Sequence, residues 1–499
     1  MDRAHKREKI FLQPMAGLHI ASMIDAEKYE IKIYHESYHG IYDINRPHDA
    51  DLVFLSGLHK DFDRMRQLSY VFRRHGTMVV AGGNFCTLFP EFAAQFFDAV
   101  AAGGIECTLA IMRDFETGGL KSVYRSAQTQ VSDYIVKHEL LPANGIHTSM
   151  HFIEASRGCN FKCDFCVLPA EGATRALYQL DTVIHTIEHA INTAPWFSLS
   201  RLYPLIFFID NNFTNSLPFV EDLCAYLQGN RKIKGWGALI TQNILKNHDM
   251  VSRMARAKCR VLFTGIESFD NKFLQQHNKK QNSVNVDNIF EDIRFAQKQG
   301  IIISYPYMFD PRVSSIAGMK QELERFHDLA DLTFPDFFTT VSPLAGTQLF
   351  WESMEKGELL ENLRLRDLDG QALAFRHVAD TQQNYSEFFT LLYTDTLRLF
   401  RRRQLLWNLF KNTLKIGLHR PMDMLIFSEF SLNHIKDAAK NTRPVKRNYI
   451  GGRDILDPQY HQYPKGISVS DKEKYFSPIQ VTDDEGAMSA WLKPYRPVL

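Results

Sequence analysis

Three cysteines stand at C-x3-C-x2-C spacing in the stretch Glu154-Ala-Ser-Arg-Gly-Cys159-Asn-Phe-Lys-Cys163-Asp-Phe-Cys166, directly after the apolar run His151-Phe-Ile. Spacing this tight lets three thiolates converge on one metal centre from a single loop. No fourth cysteine lies close in sequence. Closed structural zinc sites and ordinary electron-transfer clusters take four protein ligands, so a zinc knuckle is the weaker reading. A site with three ligands leaves a coordination position where a substrate can bind and be activated. Further polar groups close later apolar runs: Asp210-Asn211-Asn212, Thr241-Gln242-Asn243 and Gly265-Ile266-Glu267-Ser268.

Those groups need a frame. Strand-like runs at Met150–Glu154, Leu205–Asp210, Gly235–Ile240, Val261–Ile266, Ile301–Met308 and Phe337–Val341 alternate with helical periodicity. The helices are expected at about 174–193, 217–229, 247–257, 284–299 and 316–331. Six β/α units imply an open partial (β/α)6 barrel of TIM type, whose chemistry is built at the C-terminal ends of its strands. The polar groups above sit at such ends. Read from the residues alone, Asp210 also suits a helix N-cap and Gln242 a hydrogen bond on the rim.

The cysteine run, with the aromatic Phe165 before its last cysteine, resembles the cluster loop of the radical S-adenosylmethionine (SAM) superfamily. The resemblance implies a 4Fe-4S cluster on Cys159, Cys163 and Cys166, with the open iron chelated by the amino and carboxylate groups of SAM. Gly265-Ile266-Glu267-Ser268 resembles the family's G-x-E-S element, whose carboxylate meets the SAM amine or ribose, a task suited to a strong acceptor. By the same resemblance Asp210 is a SAM-facing carboxylate, and Gln242 faces SAM or substrate. Ser342-Pro343-Leu344-Ala345-Gly346-Thr347 resembles the P-x-P-G-T turn, with Ala345 in place of the second proline.

Upstream, strand candidates Lys9–Gln13, Tyr29–His35, Leu52–Ser56, Thr77–Ala81, Asp98–Ala102 and Ser122–Tyr124 alternate with helical segments such as Asp61–His75. This pattern predicts an α/β Rossmann-like, doubly wound parallel sheet, with ligands across the carboxyl ends of its strands. Those ends carry Ser56-Gly57-Leu58, Gly82-Gly83-Asn84 and Gly103-Gly104-Ile105-Glu106, where glycine permits close backbone approach. Ser56, Leu58, Gly82 and Gly83 match elements of a cobalamin-binding domain, and Gly104 extends the glycine edge. The D-x-H-x-x-G element that gives a histidine to cobalt is not matched; Tyr34-His-Glu-Ser-Tyr-His-Gly40 falls in the wrong frame. The resemblance therefore implies cobalamin held without that histidine, or a vestigial domain. His59 is the candidate for the lower face, against a solvated loop histidine.

The chain has 499 residues and a formal charge of +1, which argues against a broad electrostatic footprint for nucleic acid. Domain bounds are expected at 1–126, 127–148 (linker), 149–350 and 351–499, the last mostly helical with an Arg401-Arg-Arg403 run beside aromatics. That run reads as a solvated face, with peripheral contact to a lipid surface as the alternative. No secretory pattern and no run long enough for a membrane span is expected. Seven cysteines, three of them in the cluster loop, fit a reducing cytoplasm better than a disulfide framework. The resemblance implies a 5′-deoxyadenosyl radical made with an electron from a donor such as flavodoxin or ferredoxin. The radical would attack an unactivated carbon of a small molecule, with methyl transfer from cobalamin favoured over cyclisation, rearrangement or carbon–carbon bond formation. A non-catalytic iron–sulfur sensor is the alternative of another class.

Overall fold

The computed structural model describes residues 13–45, 48–126, 131, 133–172, 175–283, 288–328, 337–370, 372–379, 381–392, 460 and 462–497. Two parallel sheets organise them. In the first, β1 (Leu52–Ser56), β2 (Met78–Gly82), β3 (Ala99–Ala102) and β4 (Val123–Arg125) run in sequence order. Their register pairs Ser56 with Gly82 and Val80 with Ala99, so the glycine loops emerge side by side. Alternate residues of β2 face opposite ways. Val79 and Ala81 pack with Phe62 and Phe85, whereas Val80 packs with Ile111 and Tyr124. Helices therefore cover both faces, as a parallel sheet requires. The strand expected at Tyr29–His35 is extended coil followed by a helical turn, Glu36–His39. Only Gln13 of the expected Lys9–Gln13 strand lies among the described residues, and it is coil.

Next come β5 (His151–Ile153) and a short antiparallel pair, β6 (Ser156–Arg157) with β7 (Ala176–Leu177), which closes the base of the cysteine loop. The second sheet adds β8 (Leu205–Phe208), β9 (Gly235–Ile240), β10 (Cys259–Thr264) and β11 (Ile302–Ser304), in the order β11-β10-β9-β8-β5. The fifth expected strand is broken at Tyr305. Its first half pairs with β10, and its second, β12 (Pro306–Phe309), pairs with β13 (Phe337–Thr340). Glu267 carries the barrel across the break through a bridge to Tyr307 and a 2.7 Å bond from Met308 N to its carbonyl. Helices Leu180–Thr193, Leu217–Gly229, His248–Arg256, Ile289–Lys298 and Ile316–Asp328 match the predicted periodicity.

After the barrel come helices Gln348–Glu355, Gln382–Thr390 and Val469–Phe476, with a short 3-10 turn at Leu365–Asp367 between the first two. The apolar positions Thr396 to Phe410 and the Arg401–Arg403 run lie outside the described residues. Residues 469–491 return to the first sheet. Arg66 donates to the carbonyls of Lys474 and Ser477, and Trp491 stacks on Phe92 at 4.3 Å.

Candidate active site

Gly158 precedes the first cysteine with φ +78, a conformation open to glycine at little cost. Both its backbone groups are clamped, its N–H by Asn211 Oδ1 at 3.0 Å and its carbonyl by Asn215 Nδ2 at 2.8 Å. Asp210 completes the clamp. Its buried carboxylate accepts from Ala155 N (2.9 Å) and Ser156 Oγ (2.6 Å), and burial pushes its pKa up to about 7 despite those donors. The turn after β8 thus sets where Cys159 begins. Asn211 belongs to the polar group that the sequence placed at this strand end, whereas Asn215 was missed because it acts on a backbone carbonyl 57 residues away.

Cys163 is buried, while Cys159 and Cys166 are half-buried. Burial pushes the Cys166 thiol up to about 12 and raises Cys163 too, although the Lys279 ammonium opposes the second shift. Gln281 Nε2 lies 3.5 Å from Cys163 Sγ. Among the described residues no three Asp, Glu, His or Cys side chains converge tightly enough for a single ion. Three thiols on one loop are the kind of ligands that would hold an iron–sulfur cluster.

Glu267 is brought to this loop. It holds φ +67, rare for a residue with a side chain, and its Oε1 pairs with Lys279 Nζ at 2.7 Å. Lys279 also donates to the Gly265 carbonyl (2.7 Å) and lies 5.9 Å over the Phe165 ring. Ser268 is buried, and its hydroxyl accepts from Asp270 N. Gln242 is buried at the end of β9 and Thr264 at the end of β10. Their Gln242 Oε1 and Thr264 Oγ1 atoms, with Gln281 Oε1 and Asn282 Oδ1, have no protein partner. Buried polar atoms left open cost free energy, and such a group of them suits a polar ligand rich in donors. SAM, with its ammonium and ribose hydroxyls, is such a ligand.

Behind the loop runs a buried ion chain. His277 Nδ1 lies 3.0 Å from both oxygens of Asp164, and its Nε2 lies 3.4 Å from Asp310 Oδ2. Burial works against the imidazolium, but the two carboxylates hold the His277 pKa above its ordinary value. Burial would raise Asp310 as well, yet His277 and Arg312 bring it down to about 2. Arg312 then reaches Glu358 at 2.8 Å. Asp164 stood inside the cysteine motif, but nothing in its neighbours announced the partner at 277.

The glycine edge faces the same loop. Arg157 Nη1 meets Glu106 at 2.6 Å, and its other nitrogens reach Glu154 and the Tyr178 hydroxyl. Asn84 Nδ2 donates to Glu171 at 2.8 Å, and burial lifts the Glu171 carboxyl to about 7. Ser56 and Leu58 are exposed, Leu58 by 57%. Gly83 has φ +106, and a Cβ there would stand 2.1 Å from the Gly57 carbonyl oxygen. Gly82 is half-buried, and so is Gly104, whose φ is +126. His59 is buried rather than solvated. Its Nε2 lies 3.0 Å from the Ala345 carbonyl in the turn after β13, and burial lowers its pKa to about 4. A neutral imidazole therefore donates from Nε2, which joins the first sheet to the closing turn of the barrel. The glycines at these strand ends leave the backbone open to close approach by a ligand.

Residues 153–331 match the radical SAM superfamily family model. The chain is 24% identical over 361 residues to bacteriochlorophyllide d C-8(2)-methyltransferase of Chlorobaculum tepidum, covering 68% of this chain and 76% of that protein. It is 23% identical over 264 residues to hopanoid C-2 methylase of Rhodopseudomonas palustris, covering 50% and 48%. Among solved structures, the cobalamin-dependent S-adenosylmethionine radical enzyme OxsB with aqua-cobalamin bound shares the fold. It has a TM-score of 0.53 at 14% identity, over 82% of this chain and 67% of that one. The superfamily's cofactors are a 4Fe-4S cluster and SAM, and its members need an electron donor. With its cysteine loop, its set of open polar atoms and its α/β barrel, the stretch 153–331 is a radical SAM domain.

Proposed function

We propose that the protein is a cobalamin-dependent radical SAM methyltransferase that acts on an unactivated carbon of a small molecule in the cytoplasm. The methyltransferase names of its relatives and the likeness to OxsB support this reading. The observation that carries it is the Glu106–Arg157 contact, which ties the Gly103-Gly104 edge to the segment that begins the cysteine loop. Two cofactor sites built on those elements would face one another. We also propose the division 1–126, 127–148, 149–350 and 351–499 as cobalamin-type domain, linker, radical SAM core and substrate or accessory region.

Cys159, Cys163 and Cys166 would hold the cluster. Glu267, Ser268 and Gln242 would hold SAM, with Phe165 beside them and Asp210 fixing the loop base. Ser56, Leu58, Gly82, Gly83 and Gly104 would form the cobalamin rim. His59 Nε2 already serves Ala345, which favours cobalamin held without that nitrogen. When bound, these groups supply a one-electron source of an adenosyl radical and a methyl carrier. The chain's own part is to orient them and keep water out, so that the radical meets only its target. A flavodoxin- or ferredoxin-type donor would reduce the cluster.

Protein reconstituted anaerobically with iron, sulfide and cobalamin should cleave SAM, and methyl-labelled SAM should pass its label to product. Cys163→Ala should abolish both. SAM cleavage without cobalamin retention or label transfer would replace methyl transfer by another radical outcome. No cleavage by the wild type would remove the enzyme reading.

A further inference from the structure

The end of the barrel away from the cysteine loop has an unusual surface. In the connection from helix Leu180–Thr193 to β8, Trp196 is 77% exposed, Phe197 87% and Leu202 65%. Trp196 and Phe197 pack edge to face at 5.9 Å, so each rests on the other rather than on a core. Exposing two large aromatics and a leucine on one short connection is costly in water unless something covers them.

The surrounding connections are basic, with one exposed acid beside them, Glu188, which accepts from the Tyr226 hydroxyl at 3.3 Å. Residues 192–204, 229–234 and 257–258, which lead into β8, β9 and β10, carry Arg201, Arg231, Lys232, Lys234 and Lys258 without one Asp or Glu. These connections touch. Lys232 Nζ lies 3.4 Å from Asn192 Oδ1, Lys234 N donates to the Pro204 carbonyl at 2.9 Å, and Lys258 Nζ donates to the Asn230 carbonyl at 2.6 Å. Burial first, then the charges of Lys234 and Arg260, lower the Lys258 pKa, so cations are crowded here. Upstream of β5, Glu139 pairs with His189 at 2.6 Å. In a chain of formal charge +1 this is a local excess, not a reflection of the whole.

We propose that this end of the barrel docks on the surface of an anionic lipid bilayer, Trp196, Phe197 and Leu202 entering the interface and the basic connections meeting the headgroups. Indole and phenyl rings favour the boundary between acyl chains and headgroups, and exposed lysines and arginines add attraction to anionic lipid. An electron donor fits this face poorly, since the cysteines lie at the opposite ends of the strands. Docking here leaves the cluster loop open to such a donor.

The test is flotation of the full-length, anaerobically reconstituted protein with phosphatidylcholine vesicles, with and without phosphatidylglycerol. The wild type should float with the anionic vesicles, less so as salt rises. The double variant W196A/F197A and the triple variant R231E/K232E/K234E should each lose binding about tenfold or more. Both should keep the wild-type melting temperature and SAM cleavage, because these residues are exposed and remote from the cysteines. Absence of wild-type flotation, or flotation of W196A/F197A equal to wild type, would overturn the proposal. So would self-association that W196A/F197A abolishes in a protein that ignores vesicles, since that assigns the face to a second copy.

Discussion

Glu106 and Arg157 meet at 2.6 Å across the junction of the two sheets, Glu106 two residues after Gly104 and Arg157 two residues before Cys159. Both are largely shielded from solvent, so their hydrogen bond is stronger than an exposed pair. Glu106→Gln keeps the shape and removes the charge. It should weaken the junction by roughly 1.5–3 kcal/mol. The expected result is about tenfold less label transfer from methyl-labelled SAM, with 5′-deoxyadenosine formation nearly unchanged. An unaltered ratio of the two products would show that the contact is only structural.

Gly83→Ala tests the glycine edge. The added Cβ would meet the Gly57 oxygen at 2.1 Å, and φ +106 is strained for alanine. A loss of roughly 3 kcal/mol or more is expected, from clash and strain together. Thermal melting of the variant reads it directly; a melting point within a degree or two of wild type would contradict this geometry.

How much of this was legible in sequence follows from range. Gly158, the cysteines and Glu267 act within a few residues of their own strand ends, and their types and spacing announced them. The barrel strands were legible because buried parallel strands are apolar throughout. Tyr29–His35 misled, since its alternating apolar residues belong to an extended segment that packs as coil around Ile33. Lys279, His277 and Asn215 were invisible. Each meets its partner from 12 to 113 residues away, and no local pattern encodes such a meeting.

Asp210 gives a pH test. Its folded pKa of about 7 lies above the ordinary carboxylate value of about 3.9, so folding takes up a proton between them. The sign is fixed by that order. Its contribution is fully present below about pH 4 and lost as pH rises through about 7. Asp210→Asn can still accept from Ala155 N and donate to Ser156 Oγ. The variant should therefore gain stability over wild type as pH rises from about 4 to about 8, by up to a few kcal/mol. Parallel melting curves across that range would count against it.

Lys279→Met removes the ammonium that neutralises Glu267 and caps the Gly265 carbonyl. Leaving a buried carboxylate unpaired costs roughly 3–5 kcal/mol, shared between stability and ligand binding. SAM affinity measured by equilibrium dialysis should fall at least tenfold, while Lys279→Arg should recover part of it. Equal affinity in Lys279→Met would separate this pair from the SAM site.

The bonds from Arg66 to Lys474 and Ser477 span 408 and 411 residues of chain. A ribosome adding ~5–20 residues per second needs on the order of 20–80 s to make the partners of a side chain already synthesised. During that interval the helix of Arg66 has emerged with its outer face bare. The protein's early life thus includes an aggregation-prone wait, and slowing translation should lengthen it and lower soluble yield.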